Sequence, residues 1–236
     1  MKTLFLLATF KQLQKQESHL LNMGSELQIQ DWPYLKKYEK ENSELPVLVS
    51  GQKRIVFMGD SITEFWSVLC PEFFAGKPYL NRGISGQTSP QMLIRFRADV
   101  IALKPTIVVI LAGANDVAGN TGPSTIEMIT DNIFSMAELA KAHQIKVILC
   151  SVLPAYDFHW KPGSFPAEKI MKLNKIMQQY ADANEILYLD YYSALVDERK
   201  GLKADYADDG VHPNKAGYEL MAPLVEKAIN EILSNI

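Results

Sequence analysis

Arg54-Ile55-Val56-Phe57-Met58-Gly59-Asp60-Ser61 is a compact apolar run that ends in a glycine, a carboxylate and a hydroxyl. Its apolar residues do not alternate with polar ones, so they predict a strand buried on both faces, as in a parallel sheet. Runs of the same kind occur at residues 106–111, 146–150 and 186–189, with a weaker one at 79–81. The chain therefore predicts a parallel sheet that includes the strand before Gly59.

Helical patterns separate these runs at residues 90–103, 124–143, 166–183 and 214 to about 233, where Asn214 is a good N-cap. Strands that alternate with helices are joined by right-handed crossovers, which place helices on both faces of the sheet. The predicted fold class is α/β, a three-layer α/β/α sandwich with a central parallel sheet. At 236 residues and without internal repeats, the chain is long enough for one such domain and short for two.

The first 45 residues differ in character from the rest. Residues 3–10 are apolar and follow Met1-Lys2 as in a secretory signal, but Lys11 ends this run after eight residues. A bilayer span needs about 20 apolar residues, so we expect no membrane span. The polar stretch that follows predicts a helix with Asp31 as N-cap and Pro33 in its first turn.

We therefore divide the chain into two parts. Residues 1–45 form an N-terminal helical extension or an imperfect signal-like segment, and residues 46–236 form the α/β domain. The compartment stays open at this point, because the protein is cytoplasmic without a working signal and periplasmic or secreted with one.

Composition excludes several classes of function. The chain has 24 Lys and Arg against 27 Asp and Glu, a net charge of −3, which offers no basic surface for nucleic acid. Cys70 and Cys150 are too few for a disulfide framework, and no histidine or cysteine stands at metal-ligand spacing from another. The glycine-rich stretches match no nucleotide-binding motif. We expect no metal, no other cofactor and no nucleic-acid partner, and the sequence leaves the oligomeric state open.

Chemically active residues follow the predicted strands. Ligands of open parallel sheets bind outside the carboxyl ends of the strands. The segments at this edge combine glycine with hydroxyl, amide, carboxylate or imidazole groups: residues 59–61, 81–88, 113–116, 151–156 and 208–213. Turns alone do not require this mixture, so it predicts an active site there.

Ser61 follows the first strand directly and begins the predicted helix after it. A helix N-terminus favours a developing alkoxide there. Alternatively, Ser61 is only an N-cap, and Glu64 completes a capping box. His212 favours the first interpretation, because Asp209 three residues earlier can accept its Nδ1–H and leave its other nitrogen as a base. Ser61, His212 and Asp209 therefore are candidates for nucleophile, base and orienting carboxylate.

Acyl transfer also needs donors aimed at the oxygen that becomes an anion. The Gly86 N–H can approach a substrate without side-chain interference, and the Asn115 amide can supply a second donor. Each residue taken singly is more typical of an ordinary turn. Their position at the same sheet edge as Ser61 favours the donor role for both.

Together these residues resemble the SGNH, or GDSL, hydrolase superfamily, whose four signature blocks occur in order between residues 59 and 213. The blocks are Gly59-Asp60-Ser61, Gly83-Ile84-Ser85-Gly86-Gln87-Thr88, Gly113-Ala114-Asn115-Asp116 and Asp209-Gly210-Val211-His212-Pro213. From about residue 53 onward the chain is most similar to GDSL-like acylhydrolases related to platelet-activating factor acetylhydrolase. Gln87 departs from the pattern, since relatives often carry Asp there, and we expect it to alter loop hydrogen bonding only.

The resemblance implies a flavodoxin-like sandwich and a catalytic triad. Ser61 would be the nucleophile and His212 the general base and acid, with Asp209, rather than Asp208, orienting the imidazole. The implied oxyanion hole comprises the N–H groups of Ser61 and Gly86 and the side chain of Asn115.

The resemblance also implies the activity, a serine esterase or acylhydrolase that cleaves short-acyl carboxylic esters of a small molecule or glycan through an acyl-enzyme. A lysophospholipase or thioesterase is the alternative within the enzyme class, and a non-catalytic binding module on the same fold is the alternative outside it. Candidate substrate-binding residues are Trp66, Tyr156, His159 and Trp160, whose rings either line a pocket or pack at the edge of the core.

Overall fold

The structure is a computed structural model that describes residues 31–49 and 51–235. The signal-like run at residues 3–10 lies outside the described residues. From Pro33 onward the chain forms one compact unit. Within the described ranges, no helix is both long and apolar enough to cross a membrane.

The central sheet has five parallel strands in the order β2-β1-β3-β4-β5. The strands are β1 Ile55–Gly59, β2 Tyr79–Gly83, β3 Ile107–Leu111, β4 Lys146–Cys150 and β5 Leu187–Leu189. Each agrees with a predicted apolar run to within two residues. Gly59 at the end of β1 pairs with Gly83 of β2 and Leu111 of β3, so three strands end level at one edge.

Nine α-helices lie within the described residues. They are α1 Glu39–Ser43, α2 Ser61–Leu69, α3 Pro71–Phe74, α4 Ser89–Asp99, α5 Ala114–Ala118, α6 Ile126–Ala142, α7 Ala167–Ala183, α8 Tyr191–Leu195 and α9 Lys215–Leu233. The helix predicted at 90–103 is divided in two, because Val100 leaves helical geometry and a 3₁₀ turn follows at Ile101–Leu103.

Alternate residues of β1 enter two separate cores. Val56 and Met58 pack with α4, α6 and α7 on one face of the sheet, for example against Phe96 of α4. Ile55 and Phe57 pack with α2 and α9 on the other face, for example against Trp66 of α2. The predicted three-layer α/β/α sandwich is therefore confirmed, and its strands are apolar on both faces for this reason.

The helix predicted to start at Asp31 is wrong. Tyr34 has a φ of 56°, a left-handed conformation that a right-handed helix cannot contain, and α1 begins only at Glu39. Tyr38 is nevertheless buried, and its hydroxyl donates a hydrogen bond to the Gly83 carbonyl at the end of β2. Tyr38 thus attaches the segment at residues 33–45 to the end of β2. The division of the chain at residue 45 stays a prediction.

A buried arginine joins the strand ends to the loop after β2. Arg95 of α4 is 0% exposed and donates hydrogen bonds to the carbonyls of Gly59 (3.1 Å) and Arg82 (2.8 Å). Its Nε donates to Gln87 Oε1 at 2.6 Å, and its Nη1 lies 3.0 Å from the carboxylate of Asp99. A buried charge is tolerated only when it is paired and fully hydrogen-bonded, as this one is.

Gln87 also reaches the segment before α1. Its Nε2 donates to the Pro33 carbonyl at 2.8 Å while its Oε1 accepts from Arg95. A carboxylate at this position would accept from Arg95 but could not donate to Pro33. The glutamine therefore gives the loop a tie that an aspartate would lack.

Candidate active site

The end of β1 places Ser61 at the first position of α2. The side chain of Asp60, not that of Ser61, caps this helix by accepting the Ile62 N–H at 3.0 Å. The capping-box alternative for Ser61 and Glu64 is therefore wrong. A methyl group on Gly59 would lie 2.1 Å from Thr63 Oγ1, so only glycine lets α2 start this close to the strand.

His212 reaches Ser61 from the loop before α9. Its Nε2 lies 2.9 Å from Ser61 Oγ, and its Nδ1 lies 2.7 Å from Asp209 Oδ2. The other oxygen of Asp209 accepts the backbone N–H groups of Val211 (2.9 Å) and His212 (2.7 Å). The structure thus brings together three residues that are as much as 151 positions apart in the sequence.

The hydrogen bonds around Asp209 keep it charged. Partial burial alone would raise the pKa of this carboxyl. The hydrogen bonds from the His212 side chain and from the two backbone N–H groups outweigh that effect and hold the pKa below its usual value. A charged Asp209 fixes a proton on Nδ1 of His212 and leaves Nε2 free to accept one from Ser61.

Gly86 lies in a tight turn after β2. The Gln87 N–H donates to the Ile84 carbonyl at 3.2 Å, and Gly86 has a φ of 76°, which suits the third residue of a type II turn. The neighbouring Ser85 N–H donates to Glu64 Oε2 at 2.7 Å, so α2 holds this turn. Gly86 is exposed, and within the described residues its own N–H donates to no protein group.

Asn115 is the second residue of the short helix after β3 and is 5% exposed. Its Nδ2 donates to the Gln87 carbonyl at 3.1 Å and lies 3.2 Å from Asp60 Oδ2. The amide therefore stands between the residue before Ser61 and the residue after Gly86. This is the arrangement that the predicted oxyanion donors require, although their catalytic role stays a prediction.

Comparison with known proteins gives the family. Residues 57–220 match the GDSL-like Lipase/Acylhydrolase family, a stretch that includes all the residues described above. The chain belongs to this family. It is accordingly a carboxylic ester hydrolase of the GDSL type.

Individual relatives agree with this assignment. The chain is 49% identical to a GDSL-like lipase from Bacteroides thetaiotaomicron, whose crystal structure superposes with a TM-score of 0.83 over 85% of this chain and 98% of that one. It is 26% identical over 171 residues to esterase TesA of Pseudomonas aeruginosa, covering 71% of this chain and 79% of the relative. It is also 26% identical over 203 residues to an acetylxylan esterase of Geobacillus stearothermophilus, covering 73% and 91% respectively.

The prediction that Trp66 lines the substrate pocket of this GDSL-type hydrolase is wrong. Trp66 is 2% exposed and lies between the rings of Phe73 (4.6 Å between centroids) and Tyr218 (5.3 Å) in the core under α2 and α9. Its neighbour Phe65 occupies the position expected for Trp66, with its ring centroid 5.3 Å from that of His212. Phe65 lies four residues after Ser61, and helical spacing alone places it on the same helix face.

The other predicted binding residues lie near the triad. Trp160 is 39% exposed, and its ring centroid is 6.2 Å from that of His212. His159 Nδ1 lies 3.7 Å from Asp209 Oδ2. Tyr156 is 45% exposed and lines, with His159 and Asp209, a cavity of about 240 Å³. Contact with substrate stays a prediction for all three.

Within the described ranges, no three His, Cys, Asp or Glu side chains lie close enough together to hold a metal ion.

A second cavity, of about 540 Å³, borders His212 and Asp209 and is lined further by Asp208, Asn214 and Lys215. Carboxylate, amide and amine groups therefore lie beside the Ser61 hydroxyl and the His212 imidazole.

Asp60 is a buried carboxyl that precedes Ser61 in the chain and whose Oδ2 lies 3.2 Å from Asn115 Nδ2. It is 1% exposed, and burial raises its pKa to about 6. The raised pKa means that the folded protein binds this proton more readily than the unfolded chain. The ionised carboxylate therefore lowers stability as the pH rises through this window.

We expect Asp60→Asn to remove this pH-dependent term. Asn can still cap α2. The free energy of unfolding of the variant minus that of wild type should therefore increase from pH 4 to pH 7.5, by up to about 3 kcal/mol. Urea unfolding at both pH values measures the difference. A difference between the two proteins that is the same at both pH values would contradict the assignment.

Proposed function

We propose that this GDSL-type ester hydrolase forms an acyl-enzyme on Ser61, with His212 as general base and acid and Asp209 as the residue that orients it. The observation that carries the proposal is the pair of contacts at His212, 2.9 Å to Ser61 Oγ and 2.7 Å to Asp209 Oδ2. Both distances are those of hydrogen bonds in a working triad.

In the first half of the reaction, the Ser61 hydroxyl gives its proton to His212 Nε2 while Oγ attacks the ester carbonyl carbon. The carbonyl oxygen becomes an anion in the tetrahedral intermediate. When that intermediate collapses, the bond to the alcohol oxygen breaks, and His212 gives its proton to this oxygen. The acyl group remains bonded to Ser61 Oγ.

In the second half, water replaces the alcohol. His212 Nε2 takes a proton from the water, whose oxygen attacks the acyl carbon. Collapse of the second intermediate breaks the bond to Ser61 Oγ and returns the proton to it. Asp209 remains charged throughout and stabilises the imidazolium in both halves, which agrees with its lowered pKa.

The oxyanion donors are the N–H groups of Ser61 and Gly86 and the Nδ2 of Asn115. Ser61 is the first residue of α2, so its N–H has no acceptor within the helix, and the helix dipole adds to its effect. The exposed Gly86 N–H is likewise free in the described part of the chain. Asn115 is the donor that must exchange an existing partner for the oxyanion.

Short acyl groups on a polar alcohol suit the surroundings of the triad best. The two cavities beside it are lined in part by charged and polar side chains, among them Asp157, Arg199, Asn214 and Lys215. A long acyl chain would lie against these groups. Exposed rings at Tyr156 and Trp160 provide flat surfaces for a sugar, and the name of the acetylxylan esterase relative supports a carbohydrate acetyl ester.

Ser61→Ala should lower kcat on p-nitrophenyl acetate by several orders of magnitude, because the nucleophile is lost. Ser67→Ala is the matched control, since Ser67 lies on the same helix and its hydroxyl bonds to the Glu64 carbonyl and to Asn81 Nδ2 of β2, not to a residue of the proposed triad. It should retain wild-type activity. Substantial turnover by folded Ser61→Ala would contradict the acyl-enzyme, and inactivity of the wild type on every ester would favour a binding module.

Asp209→Asn should lower kcat by about 10²–10⁴, because an amide does not hold His212 in the required tautomer. Adjacent Asp208 is the control, as its carboxylate lies 3.3 Å from Asn214 Nδ2 rather than at His212. Asp208→Asn should have kcat within about twofold of wild type. Equal losses in the two variants would show that general loop stability, and not the orienting bond, is responsible.

Chain length distinguishes the substrate classes. The value of kcat/KM should fall at least about tenfold from p-nitrophenyl acetate to the octanoate, because the longer chain would lie against the charged side chains of Asp157, Arg199 and Lys215 at these cavities. Acetylated xylo-oligosaccharides and lysophosphatidylcholine extend the comparison to natural alcohols. Preference for octanoate or for the lysophospholipid would replace the short-acyl proposal with the lipid alternative.

A further inference from the structure

Three side chains link the rim of the site to the proposed oxyanion donor. The indole Nε1–H of Trp160 donates to Asn120 Oδ1 at 3.1 Å. The Nδ2 of Asn120 then donates to Asn115 Oδ1 at 2.7 Å. We refer to Trp160, Asn120 and Asn115 as the amide chain.

The direction of every hydrogen bond in the amide chain is fixed from its ends. An indole N–H can only donate, so the oxygen of Asn120 must face Trp160 and its nitrogen must face Asn115. The oxygen of Asn115 then faces Asn120. At the other end the Gln87 carbonyl can only accept, so the Asn115 nitrogen must face Gln87. Both ends require the same orientation of Asn115.

We propose that Asn120 is a positioning residue for the oxyanion hole, and that the Trp160 indole holds Asn120 in its working orientation. The inference rests on the proposed function, in which Asn115 Nδ2 stabilises the oxyanion. It adds two residues that position Asn115, one of which, Trp160, lies on the exposed rim and also offers its ring to the substrate in the proposed function.

The proposed role of Asn120 depends on how the hydrogen bonds of Asn115 change during the reaction. Both of its amide hydrogens face acceptors in the free enzyme, at Gln87 and Asp60. When the oxyanion forms, Nδ2 must redirect a hydrogen to it, so the restraint on the nitrogen side weakens. The bond from Asn120 to the oxygen side does not change at that moment. It keeps the plane of the amide fixed when orientation determines the barrier.

The local fold at position 120 is held by a backbone hydrogen bond and not by the Asn120 side chain. The Asn120 N–H donates to the Asn115 carbonyl at 3.0 Å, a bond that any side chain at position 120 leaves in place. The Asn120 side chain is exposed. Its removal therefore costs little burial, and a kinetic effect would not come from a damaged core.

The test is Asn120→Leu, which keeps the size of the side chain and removes its donor and acceptor without adding charge. We expect kcat on p-nitrophenyl acetate to fall about tenfold, with KM within about threefold and Tm near wild type, because the lost restraint acts in the transition state. Trp160→Phe keeps an aromatic ring but removes the five-membered ring that carries the N–H, and we expect a smaller loss of kcat, about threefold.

A double-mutant cycle decides whether Asn120 acts through Asn115. Asn115→Ala alone should lower kcat about 10²–10³-fold, as loss of one oxyanion donor does. In that background Asn120→Leu should cause no further loss. A further tenfold loss there, or wild-type kcat in the single Asn120→Leu variant, would overturn the proposal.

Asn184→Leu is the matched control, because the side chain of this half-buried asparagine donates to the Tyr180 carbonyl at the end of α7, near the start of β4 and away from the triad. It should have wild-type kcat. The Ser61→Ala variant separates the two proposals. An active Ser61→Ala would refute the acyl-enzyme, whereas an inactive one together with unaffected Asn120→Leu would refute only the positioning role.

Discussion

The active site depends on how closely helix α2 approaches the ends of two strands. A side chain on Gly83 would lie 2.2 Å from the Glu64 nitrogen, and one on Gly59 would meet Thr63 and the Leu111 carbonyl. The two glycines face each other in the β1–β2 register. Because neither has a side chain, the first turn of α2 fits over the sheet edge, where the Ser61 hydroxyl faces His212 while Ile62 and Trp66 are buried in the core.

Arg95 adds hydrogen bonds at these strand ends, where the Gly59 carbonyl also accepts the Ile84 N–H at 3.1 Å. Its guanidinium bonds to the carbonyls of Gly59 and Arg82 and to the side chain of Gln87, and it is itself paired with Asp99. The same arginine therefore stabilises the strand that precedes Ser61 and the turn that presents Gly86. A polar cluster of this kind tolerates little change, since loss of one partner leaves buried charge unpaired.

Much of this arrangement can be predicted from sequence, because strand patterns and chain order bring Ser61, Asn115 and His212 to one edge. The sequence-based prediction was wrong where the role of a residue depends on the direction in which its side chain points. Phe65 and Trp66 are adjacent on α2, so their side chains point about 100° apart. Composition does not reveal which ring faces His212 and which enters the core. Asn120 was missed for a related reason, since a lone asparagine after a glycine is typical of a turn.

Side chains at the rim of the site can change, and with them the proposed substrate preference, without affecting the triad. Asp157 accepts the N–H groups of Gly163 (2.6 Å) and Ser164 (2.9 Å), and these bonds lower its pKa to about 2. The base of the loop that carries Trp160 is thus tied to a charged carboxylate, while the Tyr156 and Trp160 rings remain exposed. In the proposed function, the identity of the rings on this loop sets the alcohol that binds. The hydrogen bond from the Trp160 indole to Asn120 is then the proposed route by which a change at the rim reaches the chemistry.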